Sequence, residues 1–430
     1  MVTSGLRRHL NTVQLIKYFI LISFVCACSS KDTTNGLVHP DPAQLPGPDE
    51  ISFTVDLKKP ESMLISSMFE YEPGKILQSI GTEDGDDEYF IYNVRHLKTD
   101  QNGNIYLTKG TVNSIYVYDS EGTYLYSIGR SGSGPAEFTR IINFDFDSSY
   151  QQLYVLDMIK IEIFSLVDGR YEYGHTIMHE LHFVEDLCAL DDNIYVSGFY
   201  MEELDEDQHV ERPLGHVTNS KPIHRFSRFS DTKISSFGAS YKSYSHNPIL
   251  GGMLSEMMLD CNKHTGTVAG LQKNFAHIYG YDASGHLKWI SRIDGLDYQV
   301  FTEADIMKPN ARLVSSRNDV LFTPVYNAFR ETDSEYSVLR ISYAIPAAQR
   351  PNIANLIRMQ FSDRPVFHTV YIDTRTGELS ATQMYRSEAE KMERKEIFGA
   401  RKNGRIFAIE SVESGVNDFQ IINVYTETDR

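Results

Sequence analysis

One phrase recurs along this chain and restricts what it can fold into. Its clearest copy is Leu97 to Gly129, where Asp100-Gln-Asn-Gly-Asn104 forms a turn signal followed by the alternating apolar residues Ile105 and Leu107. Ile115 and Val117 then alternate, Asp119-Ser-Glu-Gly122 turns the chain again, and Tyr124 to Ile128 alternates once more. Period-two alternation marks half-buried strands, and Asn, Asp or Gly at each break supplies tight hairpins. The phrase returns at Phe144-Asp-Phe-Asp147 with Leu153, at Leu190-Asp-Asp-Asn-Ile194, at Asn262 to Gly270, at Ser316-Arg-Asn-Asp-Val320 and at Lys402-Asn-Gly-Arg-Ile406. The first strand residues after these turns are Ile105, Leu153, Ile194, Val268, Leu321 and Ile406, at spacings of 48, 41, 74, 53 and 85.

The short spacings suit one four-stranded antiparallel blade of about 40 to 50 residues, and the long ones carry insertions. A lone blade cannot bury both faces, so such units stack around an axis. The expected fold is all-β, a six-bladed β-propeller occupying residues 51–430 as one domain. The sixth copy reaches the C-terminus with too few strands, whereas Ile51 to Gly81, including Ile76 to Ile80, reads as strand and precedes the first copy. That N-terminal segment is expected to complete the last blade. A β-sandwich is the competing architecture, which the spacing and the absence of linkers oppose. Residues 387–396 show the one helical period and read as a short insertion.

The N-terminus addresses the chain to an envelope. Arg7, Arg8 and Lys17 precede the apolar run Tyr18 to Val25, which ends in small residues, the layout of a secretory signal peptide. The run falls well short of the roughly 20 residues that a permanent membrane helix needs. Residues 1–27 are thus expected to be cleaved. Val25-Cys26-Ala27-Cys28 resembles the bacterial lipobox, which implies a lipid on Cys28, and Ser29 and Ser30 without a following Asp suggest the outer membrane. Residues 28–50, rich in Pro, Asp, Thr, Asn and Gly, read as a flexible tether.

The full chain of 430 residues carries a formal charge of −17, and loss of the three signal-peptide cations takes it to −20. Nucleic acid is excluded as a partner on that balance, since phosphate binding needs clustered Lys and Arg. Attachment to membrane is expected only through the lipid anchor. Cys188 and Cys261 remain in the folded body. They could pair in an oxidising periplasm, although two thiols in so long a body more often serve as buried small hydrophobes.

Ile128-Gly-Arg-Ser-Gly-Ser-Gly-Pro-Ala-Glu-Phe138 resembles the Gly-Pro-x-Glu-Phe loop of the six-bladed, NHL-like or TolB-like propeller lipoproteins common in Bacteroidetes. The resemblance implies the fold and the location, and names no activity. The glycines of this loop lack the Gly-Lys-Ser/Thr ending of a phosphate cradle and read as a turn between blades.

Candidate site residues are sparse. His175, His179, Glu180, His182, Glu185 and Asp186 form the densest group of metal-ligand types, with His179, His182 and Glu185 as the weak metal candidates. His179-Glu-Leu-His182 is one residue short of the helical zinc motif, so solvated loop histidines are the expected reading. Glu202 to Asp207 lacks the glycine and spacing of a calcium loop. Tyr106, Tyr116, Tyr154 and Tyr195 are expected in the core, while Tyr241 and Tyr244, in an insertion, could line a ligand mouth. Two functions follow. One is a non-catalytic module that binds a glycan, a peptide or an envelope protein through the insertions at 197–222, 238–260 and 342–367. The other, by analogy with catalytic propellers, is a lyase or hydrolase with a divalent metal at the channel mouth.

Overall fold

The computed structural model describes residues 48–57, 73–82, 86–200, 221–238, 257–272, 276–295, 325–330, 336–344, 365–383, 395–396, 405–412 and 419–427. Residues 28–47 of the expected tether, with Cys28, and Glu202 to Asp207, Tyr241, Tyr244 and Leu321 lie outside them, while Pro48–Glu50 at the end of the tether form a single 3-10 turn. Two strands, β1 (Phe53–Asp56) and β2 (Pro73–Ile80), precede the first blade.

Blade 1 comprises β3 (His96–Thr99), β4 (Ile105–Thr108), β5 (Ile115–Tyr118) and β6 (Tyr124–Ile128), paired in that order. The short strands β7 (Arg130–Ser131) and β8 (Glu137–Phe138) lead to blade 2, formed by β9 (Ile141–Phe146), β10 (Gln152–Asp157), β11 (Lys160–Val167) and β12 (Arg170–Met178). Blade 3 is β13 (His182–Leu190), β14 (Asn193–Phe199), β15 (Ile223–Ser227) and β16 (Lys233–Phe237). Blade 4 is β17 (Met257–Asn262), β18 (Thr267–Gln272), β19 (His277–Tyr281) and β20 (Leu287–Asp294). Blade 5 is β21 (Val325–Arg330), β22 (Tyr336–Ala344), β23 (Pro365–Asp373) and β24 (Leu379–Gln383). Blade 6 is β25 (Lys395–Glu396), β26 (Arg405–Val412) and β27 (Phe419–Glu427), with β2 as its fourth strand.

The ring therefore closes with N-terminal and C-terminal strands in one sheet, as expected from the incomplete sixth copy. Pairing of β2 with β27 sets Ile80 opposite Ile422 and Gln78 opposite Val424. The first part of the N-terminal segment behaves differently from the expectation. β1 adds to blade 4 as a fifth strand, parallel to β20, with Val55 opposite Ile293. Val55 and Leu57 enter a cluster with Trp289, Ile293, Leu339, Val370 and Ile372, so β1 covers the seam between blades 4 and 5. Burial of such side chains is worth about 1.5–3 kcal/mol each, which is what draws a four-residue strand onto an outer edge.

Two further expectations change. In blade 5, Val338 to Ile341 lies in the second strand and Val370 to Asp373 in the third, one strand earlier than the turn phrase at Ser316 implies. The helical reading of 387–396 fails at its end, because Lys395–Glu396 is a strand opposite Glu410 and Ile409.

Core clusters sit between blades. Tyr106, Ile115 and Val117 of blade 1 pack with Phe144, Phe146 and Leu153 of blade 2. Tyr154 and Leu156 of blade 2 meet Leu187, Ile194 and Phe226 of blade 3. Tyr106, Tyr154 and Tyr195 are buried as the repeat predicts, while Tyr116 is half-buried beside Tyr124. In blades 1 to 4 the pairing of third and fourth strands carries a register shift, for example between Gly280 and Tyr281. Such bulges twist an outer strand away from open edge pairing.

Candidate functional site

Strand order fixes which ends of the blades share a face. In an antiparallel blade, the turns between first and second strands and between third and fourth strands lie on one face of the ring. Links between second and third strands, and from one blade to the next, lie on the other.

The first face is built from tight Asx turns. Asp100 Oδ1 accepts from Asn102 N and Asn104 N, Asp119 Oδ1 from Glu121 N and Thr123 N, and Asp282 Oδ1 from Ser284 N and His286 N. Hydrogen bonding by these donors to Asp282 overcomes the burial that would raise its pKa and holds the carboxyl well below the usual range. A side-chain oxygen in each turn replaces backbone partners and fixes the hairpin.

The second face receives the four longest connections. The strand ends that bracket residues 201–220, 239–256, 296–324 and 345–364 all point to it. In blades 1 and 2 the same positions hold short, described links. Val112, Met158, Ile159, Met178 and Phe183 are exposed large hydrophobics on these links and on the adjoining ends of β12 and β13.

Two buried lysines hold the short links in place. Lys109, just beyond β4, donates to the carbonyls of Asp87, Glu88 and Phe90 and lies 4.1 Å from the Tyr116 ring centroid. Burial lowers its pKa to about 8, against the pull of Glu88 and Asp87. Lys160 donates to Gly134 O at 2.6 Å and pairs with buried Glu162, which also accepts from Thr176 Oγ1. The glycine-rich loop is thus a turn between blades, as expected. Gly129 has φ of 76° and lies under the Phe138 ring, where an added Cβ would come within 2.1 Å. Glu137 Oε2 accepts from Gly134 N and its Oε1 from Arg130 Nε.

Inside the ring, carboxylates of the innermost strands join neighbouring blades. Asp145 of blade 2 accepts from Lys98 of blade 1 at 2.7 Å, from Ala189 N of blade 3 at 2.9 Å and from Lys263 beyond β17 at 3.5 Å. Burial pushes its pKa up, but the Lys263 and Lys98 ammonium groups override this and hold it below the usual value. Asp186 of blade 3 accepts from Leu259 N of blade 4, from Leu187 N and from Asn143 Nδ2 of blade 2. Burial outweighs these donors and raises its pKa to about 6. Ser337 Oγ of blade 5 donates to Asp260 of blade 4.

Cys188 of β13 and Cys261 of β17 form a disulfide with Cα atoms 5.4 Å apart. The reading of two separate buried thiols is therefore corrected, for the register of the two innermost strands places both cysteines across the seam between blades 3 and 4. The bridge stands where the blade-to-blade link, residues 239–256, is long.

The sequence candidates do not assemble into one centre. His179 is buried rather than solvated. Its Nε2 donates to Asp157 O at 3.1 Å while its Nδ1 accepts from Leu181 N at 3.0 Å, so both ring nitrogens serve the link between blades 2 and 3. Burial lowers its pKa. His182 is exposed at the start of β13, and Glu185 is half-buried three residues on. Among the described residues no group of three or more His, Cys, Asp and Glu side chains is placed to hold a metal ion.

Residues 84–243 match the model of a family described as a 6-bladed beta-propeller. The chain is a six-bladed β-propeller. Its propeller is similar to the crystal structure of a Bacteroides fragilis protein described as exported, at 13% identity and a TM-score of 0.51, covering 88% of this chain and 99% of that one. A member of the DUF4221 family from Bacteroides vulgatus is similar at 11% identity and a TM-score of 0.51, over 84% of this chain and 99% of that one. No curated protein matches the chain.

Asp145, Lys98 and Lys263 escaped the sequence reading, and Asp186 entered it only among the metal-ligand types. A signal was present in Phe144-Asp-Phe-Asp147, where alternation puts the phenylalanines in one seam and Asp145 on the opposite side.

Proposed function

We propose that this propeller is a recognition module of the bacterial envelope, exported and held to the outer membrane by a lipid on Cys28, and that its long-link face takes a glycan, a peptide or an envelope protein. One observation carries the reading. The four longest connections all start and end on one face, while the described turns of the opposite face are short and self-satisfied. Loops borne on a rigid scaffold are where binding function concentrates, and exposed apolar side chains on Met158, Ile159 and Met178 add contact area to that face. The Cys188–Cys261 bridge supports export, because structural disulfides persist in oxidising compartments and are rare in the cytosol. The similar Bacteroides fragilis structure, described as exported, fits the same reading.

The test combines two measurements. Replacing 201–220 by Asn-Gly, and in a second protein 345–364, should abolish binding to the glycan or peptide selected from an array, with the melting temperature not lowered. Alanine at Asp119 and Glu121 on the turn face should leave binding intact. Equal loss from both faces would refute the assignment. Cys28→Ala should move the protein from the outer-membrane fraction to the soluble periplasm, and retention in the membrane would remove the anchor from the reading.

A further inference from the structure

At the seam between blades 2 and 3, on the same face, a serine and a histidine stand opposite each other on neighbouring strands. His224 of β15 pairs with Ser236 of β16 in the ladder, so both side chains project on one side of the sheet. His224 Nε2 lies 2.9 Å from Gly198 O, and its Nδ1 lies 2.8 Å from Ser236 Oγ. A carbonyl oxygen only accepts, so Nε2 carries the proton and Nδ1 presents its lone pair to the serine hydroxyl. The tautomer is thereby fixed, and Ser236 donates to a base.

The surroundings add two features. Tyr200 stands edge-on to the imidazole with ring centroids 4.9 Å apart, and the Lys233 ammonium lies 3.9 Å from the Tyr200 centroid. Burial, opposed by the Gly198 carbonyl bond, lowers the His224 pKa to about 4, with Lys233 of β16 and His179 of the preceding link pushing the same way. The imidazole is therefore neutral at physiological pH. His224 is fully buried while Ser236, on the outermost strand of the blade, is half-buried. Tyr200 and Lys221 bracket residues 201–220 beside this pair.

A nucleophile, a base in contact with it and a group that orients the base make up the arrangement of an activated serine. We propose that Ser236 is a nucleophile for acyl esters, with His224 as its general base, Gly198 O as the orienting acceptor and Lys233, stacked on Tyr200, as the neighbouring cation. Ser236 Oγ attacks the ester carbonyl carbon as its proton passes to His224 Nδ1. The C–O bond to the leaving alcohol breaks, and that alcohol takes the proton from Nδ1. Water then attacks the acyl-serine by the same relay and releases the carboxylic acid, so Ser236 is restored and no oxidant or cofactor is needed. The weakly basic imidazole suits esters with good leaving groups, because its conjugate acid gives up the proton readily. The assignment is independent of the recognition reading, which concerns the insertions and not this pair.

The full-length protein is treated with a fluorophosphonate probe and with p-nitrophenyl acetate. One adduct per chain at Ser236, identified by peptide mass spectrometry, is expected, together with a burst of p-nitrophenol. Ser236→Ala should lose both, and His224→Gln should slow labelling on the order of 10²-fold or more. Labelling should hold level from neutral pH downward and fall only as pH approaches 4. Ser230→Ala, in an exposed turn, should leave the rate unchanged. Melting curves establish that each variant is folded. Absence of an adduct on folded wild-type protein, or a rate equal in wild type and His224→Gln, would overturn the proposal, as would labelling of several serines at equal rates.

Discussion

Blades 1 and 2 and blades 3 and 4 solve the same problem by different chemistry. In the first pair the links on the long-link face are short, and buried ammonium groups at Lys109 and Lys160 gather their backbone carbonyls. In the second pair the link is long, no short segment ties one blade to the next, and a covalent bridge joins the innermost strands instead. Hydrogen-bonded cations hold a local path, whereas a disulfide restricts the whole chain between its ends. The difference separates a compact half, where the ring is held through its links, from a half free to carry insertions because its seam is held from inside.

Asp145 is where the two halves meet, since it takes partners from blades 1, 3 and 4 at once. Asp145→Ala removes the carboxylate that Lys98 and Lys263 share and should cost about 3–5 kcal/mol in urea unfolding. A cost below about 1 kcal/mol would mean that the halves are not joined there. Next in size, Cys188→Ser with Cys261→Ser should cost about 2–4 kcal/mol, and hydrogen exchange should quicken at the seam of blades 3 and 4 while blades 1 and 2 keep their protection. Uniform loosening would erase the contrast. Lys109→Met should show the reverse pattern, costing about 1–3 kcal/mol through loss of the shared donor to the carbonyls of Asp87, Glu88 and Phe90, with faster exchange confined to blade 1.

The pH dependence sharpens the comparison further. The Asp186 pKa is raised on folding, from 3.8 to about 6, so the folded state binds the proton more tightly and the carboxylate is a burden when ionised. Relative to Asp186→Asn, wild-type stability should rise as pH falls from about 6 toward 4, by on the order of 2–3 kcal/mol in total. A flat difference curve between the two proteins would show that the carboxyl is not buried among these donors. Replacing 201–220 by Asn-Gly is expected to stabilise by no more than about 2 kcal/mol, because a tenfold shorter loop changes closure entropy only logarithmically.

Much of the ring was legible because its signal is local. Each Asx turn at Asp100, Asp119 and Asp282 declares a hairpin within five residues, and the missing strand of the sixth copy pointed to the pairing of β2 with β27. Blade 5 was misread by one strand because the 345–364 insertion separates β22 from β23 and leaves the phrase at Ser316 as a false start. β1 had no local mark, since a parallel strand on an outer edge needs no turn to its partner. The disulfide depends on register between strands of different blades, and the Ser236–His224 contact on a bulge within one hairpin, neither of which residue spacing encodes. The lysine clamps are invisible for a related reason. Their partners are main-chain oxygens, which every residue carries.

The bridge between Cys188 and Cys261 has a further meaning for survival outside the cell interior. It spans a separation of 73 residues that contains both 201–220 and 239–256. A protease that cut once anywhere in that interval would open the chain without parting it, and the two fragments would run together on a non-reducing gel and separately after reduction. Together with the closure of blade 6 by strands from both ends, this makes the propeller tolerant of a nick in the stretch that carries two of its insertions.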